Sequence, residues 1–106
     1  MPFVYMLRCR DGSLYTGAAR DLARRLLQHG RGTASRYTRS RLPVTLAWSR
    51  RVSSWPHALR LEYLIKRLER AQKQALAEGT LRCRLRFRGL SQTALALIVV
   101  KKSSGA

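Results

Sequence analysis

The sequence predicts one small domain of the α/β class, and two observations lead to that prediction. Short runs rich in β-forming residues occupy positions 3–17 and 44–52, and segments with apolar residues at helical spacing lie between and after them. At 106 residues, the chain is long enough for one small core and too short for two ordinary domains. We expect the domain to span residues 1–78 and a basic extension of uncertain structure to span residues 79–106.

A β-hairpin is predicted at the start of the chain. The run FVYMLRC at 3–9 is rich in β-forming residues, and SLYTG at 13–17 is the expected return strand. Asp11-Gly12 between them is a strong hairpin signal. A two-residue loop would send Tyr5 and Tyr15 to opposite faces of the sheet. A three-residue loop with Gly12 left-handed, followed by a bulge, would place both tyrosines on one face.

The next elements are a helix, a short helical turn and a third strand. Asp21 suits the N-terminal cap of a helix that ends at Gly30 and Gly32, and its apolar stripe is Leu22, Ala23, Leu26 and Leu27. The segment TASRYTRSRLP at 33–43 predicts a short helical turn and loop. The run VTLAWSRRV at 44–52 predicts a third strand.

One long helix and another strand are predicted after Pro56. The helix spans residues 57–78 and closes at Gly79, and its stripe is Leu61, Leu64, Ile65, Leu68, Gln72 and Ala75. In LRCRLRFR at 81–88, apolar residues alternate with arginines, as in a half-buried strand. The tail KKSSGA at 101–106 is predicted to be disordered.

Composition indicates a polyanionic partner. Lysine and arginine number 22 against 5 acids, so the formal charge is +17 and the sequence pI is about 11.7. Basic residues that neutralise phosphates release counterions, which favours nucleic acid as the partner, although a basic protein can also bind nucleic acid without function.

The cysteines lack metal-ligand spacing and no signal peptide is recognised, so we expect a reduced, cytoplasmic setting. The apolar run at 94–100 is too short to span a membrane.

Several motifs, in order, resemble the GIY-YIG nuclease family. FVY at 3–5 and YTG at 15–17 are similar to the paired tripeptides that name the family. DLARRLLQH at 21–29 is similar to its first helix, and ALRLEYLIKRL at 58–68 to the helix that bears its glutamate. DGSLYTG, RYTR, LPV and AQK also resemble motifs of the small standalone bacterial GIY-YIG proteins.

The resemblance implies a fold, a reaction and a set of residues. The fold is of the α+β type, with a three-stranded antiparallel sheet flanked by helices. The activity is metal-dependent hydrolysis of DNA phosphodiester bonds with Mg²⁺ or Mn²⁺, and DNA repair is an implied setting. The matching positions are Tyr5, Tyr15, Arg25 and His29 as catalytic residues, Glu62 as metal ligand, and Gly17 as the glycine at the turn.

These residue types suit phosphodiester hydrolysis. Mg²⁺ held by one carboxylate keeps most of its water and can bind phosphate. The planar fork of Arg25 can grip phosphate oxygens. Tyr5 would position or deprotonate water, although a free tyrosine has a pKa of about 10. Both tyrosines must face one site, so we predict the odd-length hairpin loop. On a helix, Arg25 and His29 share a face, but periodicity does not distinguish Arg25 from Arg24.

Some candidate residues also have ordinary structural interpretations. Glu62 and Lys66 form a favourable i, i+4 helix pair. His29 near Gly30 would suit a helix C-terminus as well as a catalytic role. The segment SRYTRSR at 35–41 interleaves an aromatic ring with basic groups, so it is either a solvated loop or a nucleic-acid contact. The candidate nucleic-acid contacts are Arg36, Tyr37, Arg39, Arg41 and Lys66.

The sequence therefore favours a DNA nuclease with low or structure-directed specificity, acting on single-stranded or branched DNA. The alternative is a non-catalytic DNA- or RNA-binding module on the same fold. A protein partner could supply targeting in either case.

Overall fold

The computed structural model describes the backbone of residues 1–79, 81–87 and 95–101, and the side chains of residues 1–79. The elements in chain order are β1 (Phe3–Arg8), β2 (Leu14–Ala19), α1 (Leu22–Gly30), α2 (Arg36–Arg39), β3 (Thr45–Arg51), α3 (Trp55–Lys66), α4 (Arg70–Glu78), β4 (Leu81–Phe87) and β5 (Leu95–Lys101).

The main sheet has three antiparallel strands in the order β2-β1-β3, flanked by helices, which confirms the predicted fold class. Strands β4 and β5 form a second, two-stranded antiparallel sheet. Strand β4 confirms the strand that was predicted from alternation at 81–88. Strand β5 was not predicted, because a short apolar run carries no periodicity that separates a strand from a buried helix.

The hairpin loop has the predicted odd length. The amide of Cys9 donates to the carbonyl of Ser13 at 2.9 Å, and the amide of Gly12 donates to the carbonyl of Cys9 at 2.9 Å. These bonds enclose the three residues 10–12, with Gly12 at a φ of 86°. Glycine has no Cβ and adopts this left-handed conformation at little cost, so Gly12 closes the loop.

The register that follows from this loop places both tyrosines on one face. Tyr5 pairs with Gly17, and Leu7 pairs with Tyr15. Side chains directly across a ladder share a face, and so do alternate residues along a strand. Tyr5, Leu7 and Tyr15 therefore point to the same side, and the predicted arrangement is confirmed.

The core has two layers, one on each side of the main sheet. Helices α3 and α4 cover one face, where the buried side chains are Val4, Met6, Val52, Ala58, Leu61, Ile65 and Leu76. Helix α1 covers the other face, where Leu22 and Leu26 pack against Tyr5, Leu7 and Ala19. Both tyrosines thus lie on the α1 face.

The single long helix predicted over residues 57–78 is wrong. Helix α3 ends at Lys66, and α4 begins at Arg70 after a break at 67–69. Glu69 is the N-cap of α4, and its backbone amide is bonded to the Gln72 side chain at 3.1 Å. The break lets Leu76 enter the core with α3, whereas a continuous stripe would have presented Ala75. Burial of the larger side chain favours two helices over one.

Helix α1 differs in part from its prediction. Asp21 caps the helix as predicted, since its carboxylate accepts the amide of Arg24 at 3.1 Å. Ala23 and Leu27 are exposed, and Leu27 keeps 61% of its surface accessible. The helix contacts the sheet through a narrower stripe than the sequence suggested, formed by Leu22 and Leu26.

Two further predictions concern the C-terminal tail and membrane-spanning segments. Lys101 closes β5, and the remaining part of the predicted disordered tail, residues 102–106, lies outside the described residues. Within the part of the chain that the structure describes, no helix is both long and apolar enough to cross a membrane.

Candidate active site

Tyr5 lies at the centre of the site and is almost fully buried, with 1% of its surface exposed. Its ring lies over Gly17, the residue opposite on edge strand β2. A Cβ added to Gly17 would come 2.5 Å from the Tyr5 hydroxyl and 2.6 Å from Cζ. Gly17 was predicted as a turn residue, and that assignment is wrong. Gly17 lies inside β2, where its missing side chain makes room for the Tyr5 ring.

A chain of buried hydrogen bonds runs from Tyr5 into the short helix α2. The Tyr5 hydroxyl lies 2.7 Å from Nε2 of His29, and Nδ1 of His29 lies 2.9 Å from Oγ1 of Thr38. The Thr38 hydroxyl also lies 2.9 Å from that of Ser35, the N-cap of α2. His29 and Thr38 expose 1% and 0% of their surfaces. Their bonds therefore form away from water, where polar groups need partners.

His29 is a neutral ring in this setting. Burial lowers its pKa, and the positive charge of Arg25 lowers it further. A neutral imidazole has one N–H, so it donates on one side and accepts on the other. The lowered pKa disfavours the alternative role as a charged cap at the helix C-terminus, and both ring nitrogens are already bonded to Tyr5 and Thr38.

Three predicted site residues act electrostatically on Tyr5. Burial raises the pKa of the Tyr5 phenol, and the neighbouring Tyr15 and Glu62 raise it further, while Arg25 opposes the shift. Arg25 thus influences both Tyr5 and His29. The fold brings these five side chains together, from β1, β2, α1 and α3. Helical periodicity did not separate Arg25 from Arg24, but Arg25 is half-buried and acts on Tyr5, whereas Arg24 is exposed.

Aromatic rings extend the site toward α2. Tyr15 meets His29 edge-on, with ring centroids 5.3 Å apart. On its other side, Tyr15 stacks with Tyr37 at 5.8 Å and an interplanar angle of 28°. Tyr37 is 38% exposed, so it forms the outer end of this row of rings.

Arg41 holds Tyr37 in place. Its guanidinium lies 3.8 Å from the centroid of the Tyr37 ring, and its Nε lies 2.9 Å from a carboxylate oxygen of Asp11. Hydrogen bonds from Ser13, helped by the Arg41 guanidinium, lower the pKa of Asp11. The Arg41 charge is therefore already paired within the protein.

The other candidate nucleic-acid contacts differ in exposure. Arg36 and Arg39 on α2 are exposed to solvent. Lys66 lies 3.3 Å from Glu62 and forms the helix pair predicted from spacing.

The sequence did not reveal Asp11, Ser35 or Thr38 as partners in the site. The only local signal was the spacing of Ser35 and Thr38, which is that of a helix N-cap.

Glu62 is the residue that fits a metal ligand. Its side chain is 20% exposed, and its charge acts on the Tyr5 phenol, so the residue is partly open to solvent near Tyr5. Among the described residues, no cluster of three or more His, Cys, Asp or Glu side chains could hold a metal ion. A single carboxylate suits Mg²⁺, which is commonly bound through one or two carboxylates plus water and substrate phosphate. The donors present therefore fit a one-metal site.

Comparisons with known proteins identify the family of this chain. The GIY-YIG catalytic domain model matches residues 1–75. A UPF0213 protein from Halobacterium salinarum is 47% identical over 76 residues, which cover 72% of this chain and 99% of the relative. One from Cronobacter sakazakii is 44% identical over 79 residues, covering 74% and 83%.

A solved structure is also similar. The solution NMR structure of a UPF0213 protein from Bacillus halodurans is 40% identical, covers 74% of this chain and 84% of its own, and superposes with a TM-score of 0.49. The family match and the sequence relatives are sufficient for the assignment: the chain belongs to the GIY-YIG family, within the nuclease superfamily, and is similar to its small standalone members.

Proposed function

We propose that this protein is a Mg²⁺- or Mn²⁺-dependent endonuclease that hydrolyses DNA phosphodiester bonds. The observation that carries the proposal is the buried 2.7 Å bond between the Tyr5 hydroxyl and His29 Nε2, beside Arg25 and Glu62. A neutral histidine bonded to the tyrosine hydroxyl can accept its proton, which is the arrangement that general acid–base catalysis uses.

Tyr5 is protonated at neutral pH, because its pKa is raised. In the productive tautomer, Tyr5 donates its hydrogen to Nε2 of His29, and Nδ1–H of His29 donates to Thr38. As the attacking water gives a proton to the Tyr5 oxygen, Tyr5 passes its own proton to His29. The neutral state of His29 keeps Nε2 available for that proton.

Arg25 and Tyr15 bind and orient the phosphate. The planar guanidinium of Arg25 donates to two phosphate oxygens and stabilises the charge added in the transition state. Tyr15, held between His29 and Tyr37, donates its hydroxyl to phosphate or to the attacking water. Glu62 would hold the divalent metal ion, which supplies further stabilisation of negative charge on the phosphate and leaving oxygens.

The substrate is DNA recognised mainly through its phosphates, so we expect low or structure-directed specificity. The high positive charge supplies affinity that does not depend on sequence. Arg36 and Arg39 are exposed on α2, the short helix that also carries Tyr37, which suits contacts with single-stranded or branched DNA. Targeting to one site would then come from a protein partner.

Cleavage assays with matched variants test the proposal. Single- and double-stranded DNA are incubated with wild type, Glu62→Gln, Arg25→Ala and the control Glu78→Gln, with Mg²⁺, Mn²⁺ or EDTA. We expect the first two variants to lose at least about a hundredfold in rate. Glu78, an exposed helix glutamate, should be dispensable. Equal cleavage by all four proteins would indicate a contaminating nuclease and overturn the proposal.

The second candidate function is a nucleic-acid-binding module without turnover. The pairing of Glu62 with Lys66 at 3.3 Å favours it, because the Lys66 ammonium already binds the carboxylate that a metal ion would need. Tight, salt-sensitive binding of DNA or RNA without metal-dependent cleavage by the wild type would support this candidate.

A further inference from the structure

A second feature, next to the candidate active site, lies beside the N-terminal half of α1. It is an open cleft of about 340 Å³, and its principal lining residues are Arg20, Asp21, Arg24, Arg25, Gln28 and Trp55. Its volume falls in the usual range for small-ligand sites, about 300–1,000 Å³. Arg25 belongs to both the cleft and the candidate active site, so the two are adjacent.

The cleft is strongly positive. Arg20, Arg24 and Arg25 line it, and both Arg20 and Arg24 are exposed. The one acid in the lining, Asp21, is engaged as the N-cap of α1 through the amide of Arg24. Three guanidinium groups in one cleft repel each other unless an anion lies between them, so the arrangement favours an anionic ligand.

The cleft also contains an aromatic surface. The guanidinium of Arg20 lies 4.8 Å from the centroid of the Trp55 ring. Trp55 packs against the core and is half-buried, which holds its ring in a fixed orientation. Arginine and nucleobases both stack on indole faces, so a base can take the place of Arg20 while Arg20 turns to a phosphate.

A second depression adjoins the first at Arg20 and Trp55. A neighbouring cleft of about 300 Å³ is lined by Met1, Pro2, Arg20 and Trp55. The Arg20–Trp55 pair thus stands between two depressions, one of which ends at Arg25 in the candidate active site. A flexible strand can follow this path from Arg25 past Trp55, whereas a rigid duplex cannot turn a base onto the ring.

We propose that this cleft binds one unpaired nucleotide next to the scissile phosphate, with the base on Trp55 and the neighbouring phosphate on Arg20 and Arg24. The inference rests on the proposed nuclease function and names its substrate class, which is a single strand or an unpaired flap. Binding in the cleft requires no metal ion, so it is measurable apart from cleavage.

Binding of a fluorescein-labelled oligodeoxythymidylate, followed by anisotropy in EDTA, tests the cleft. We expect Trp55→Ala to weaken binding about tenfold, with most affinity retained in Trp55→Phe. Arg20→Ala and Arg24→Ala should each weaken binding several-fold and reduce the magnitude of the salt slope by about 0.7. Arg70→Ala is the matched control, an exposed arginine on α4, and should bind nearly as the wild type does.

Tryptophan emission separates stacking from a structural role. Oligodeoxythymidylate should quench the wild type, and Trp55→Phe, which retains Trp48, should lose that quench. If Trp55→Ala does not fold, the exposed Arg20 and Arg24 variants still test the cleft. The inference would be overturned if those variants bound the oligonucleotide with wild-type affinity. It would also be overturned if Trp55→Ala lost as much affinity for a matched duplex as for the single strand. Binding through Trp55 and Arg24 without cleavage in Mg²⁺ would instead retain the cleft and overturn the proposed hydrolysis.

Discussion

The phenol ring of Tyr5 lies over Gly17, its partner across the β1–β2 ladder, so closely that a Cβ on Gly17 would be 2.5 Å from the Tyr5 hydroxyl. The ring is held there by the bond to His29 and by burial. The geometry of the candidate site therefore depends on a residue with no side chain.

Gly17→Ala should displace Tyr5 and weaken its bond to His29. We expect the free energy of unfolding to fall by about 1–3 kcal/mol, as for other overpacked cores, and DNA cleavage to fall with it. Gly30→Ala is the control, because a Cβ there meets nothing within 4 Å. It should leave cleavage unchanged and raise stability by up to about 1 kcal/mol. Chemical denaturation and cleavage rates measure both, and an unaffected Gly17→Ala would contradict the close packing.

Thr38→Val should leave Nδ1 of His29 without its partner. The exchange keeps the shape of a fully buried side chain, so we expect a loss of about 1–3 kcal/mol from the unpaired polar atom. Thr33→Val, an exposed threonine bonded to a carbonyl of α1, should cost less than about 0.5 kcal/mol. Thermal unfolding compares the two, and similar losses would mean that the Thr38 bond is unimportant.

His29 should make stability depend on pH. Its pKa is lowered by folding, so the unfolded chain binds a proton at a higher pH than the folded one. The contribution of His29 to stability is therefore complete at pH values above 6.5, the ordinary pKa of histidine. It is lost as the pH falls below that value. His29→Gln should lose this part of the dependence while His57 remains. Urea denaturation between pH 8 and 5 gives the slopes, and parallel curves would disprove the assignment.

Asp11→Asn should strengthen binding to DNA. The substitution removes the anion that pairs with Arg41 at 2.9 Å, so the guanidinium becomes available to a phosphate. We expect a several-fold gain in affinity at low salt and a salt slope steeper by about one. Adding Arg41→Ala should cancel the gain. A gain that persists in the double variant would show that Arg41 is not its source.

Much of the fold was predictable because its signals are local. The left-handed Gly12 and the Asp21 cap act within three or four residues, so neighbouring side chains identify them. The strands β1, β2 and β3 follow from short runs of β-forming residues. The break at 67–69 was missed because the apolar stripe continues through it, and only packing of Leu76 against α3 favours two helices.

The candidate site likewise has features that local sequence signals predict and features that depend on tertiary packing. By itself, the sequence determined the loop that sets the register, and through the family resemblance it indicated Tyr5, Tyr15, Arg25, His29 and Glu62. Only the tertiary structure decided that His29 is buried and neutral between Tyr5 and Thr38, and that Asp11 takes up the charge of Arg41. Register follows from a turn of a few residues, whereas a pKa or an ion pair depends on which distant side chains the packed core brings together.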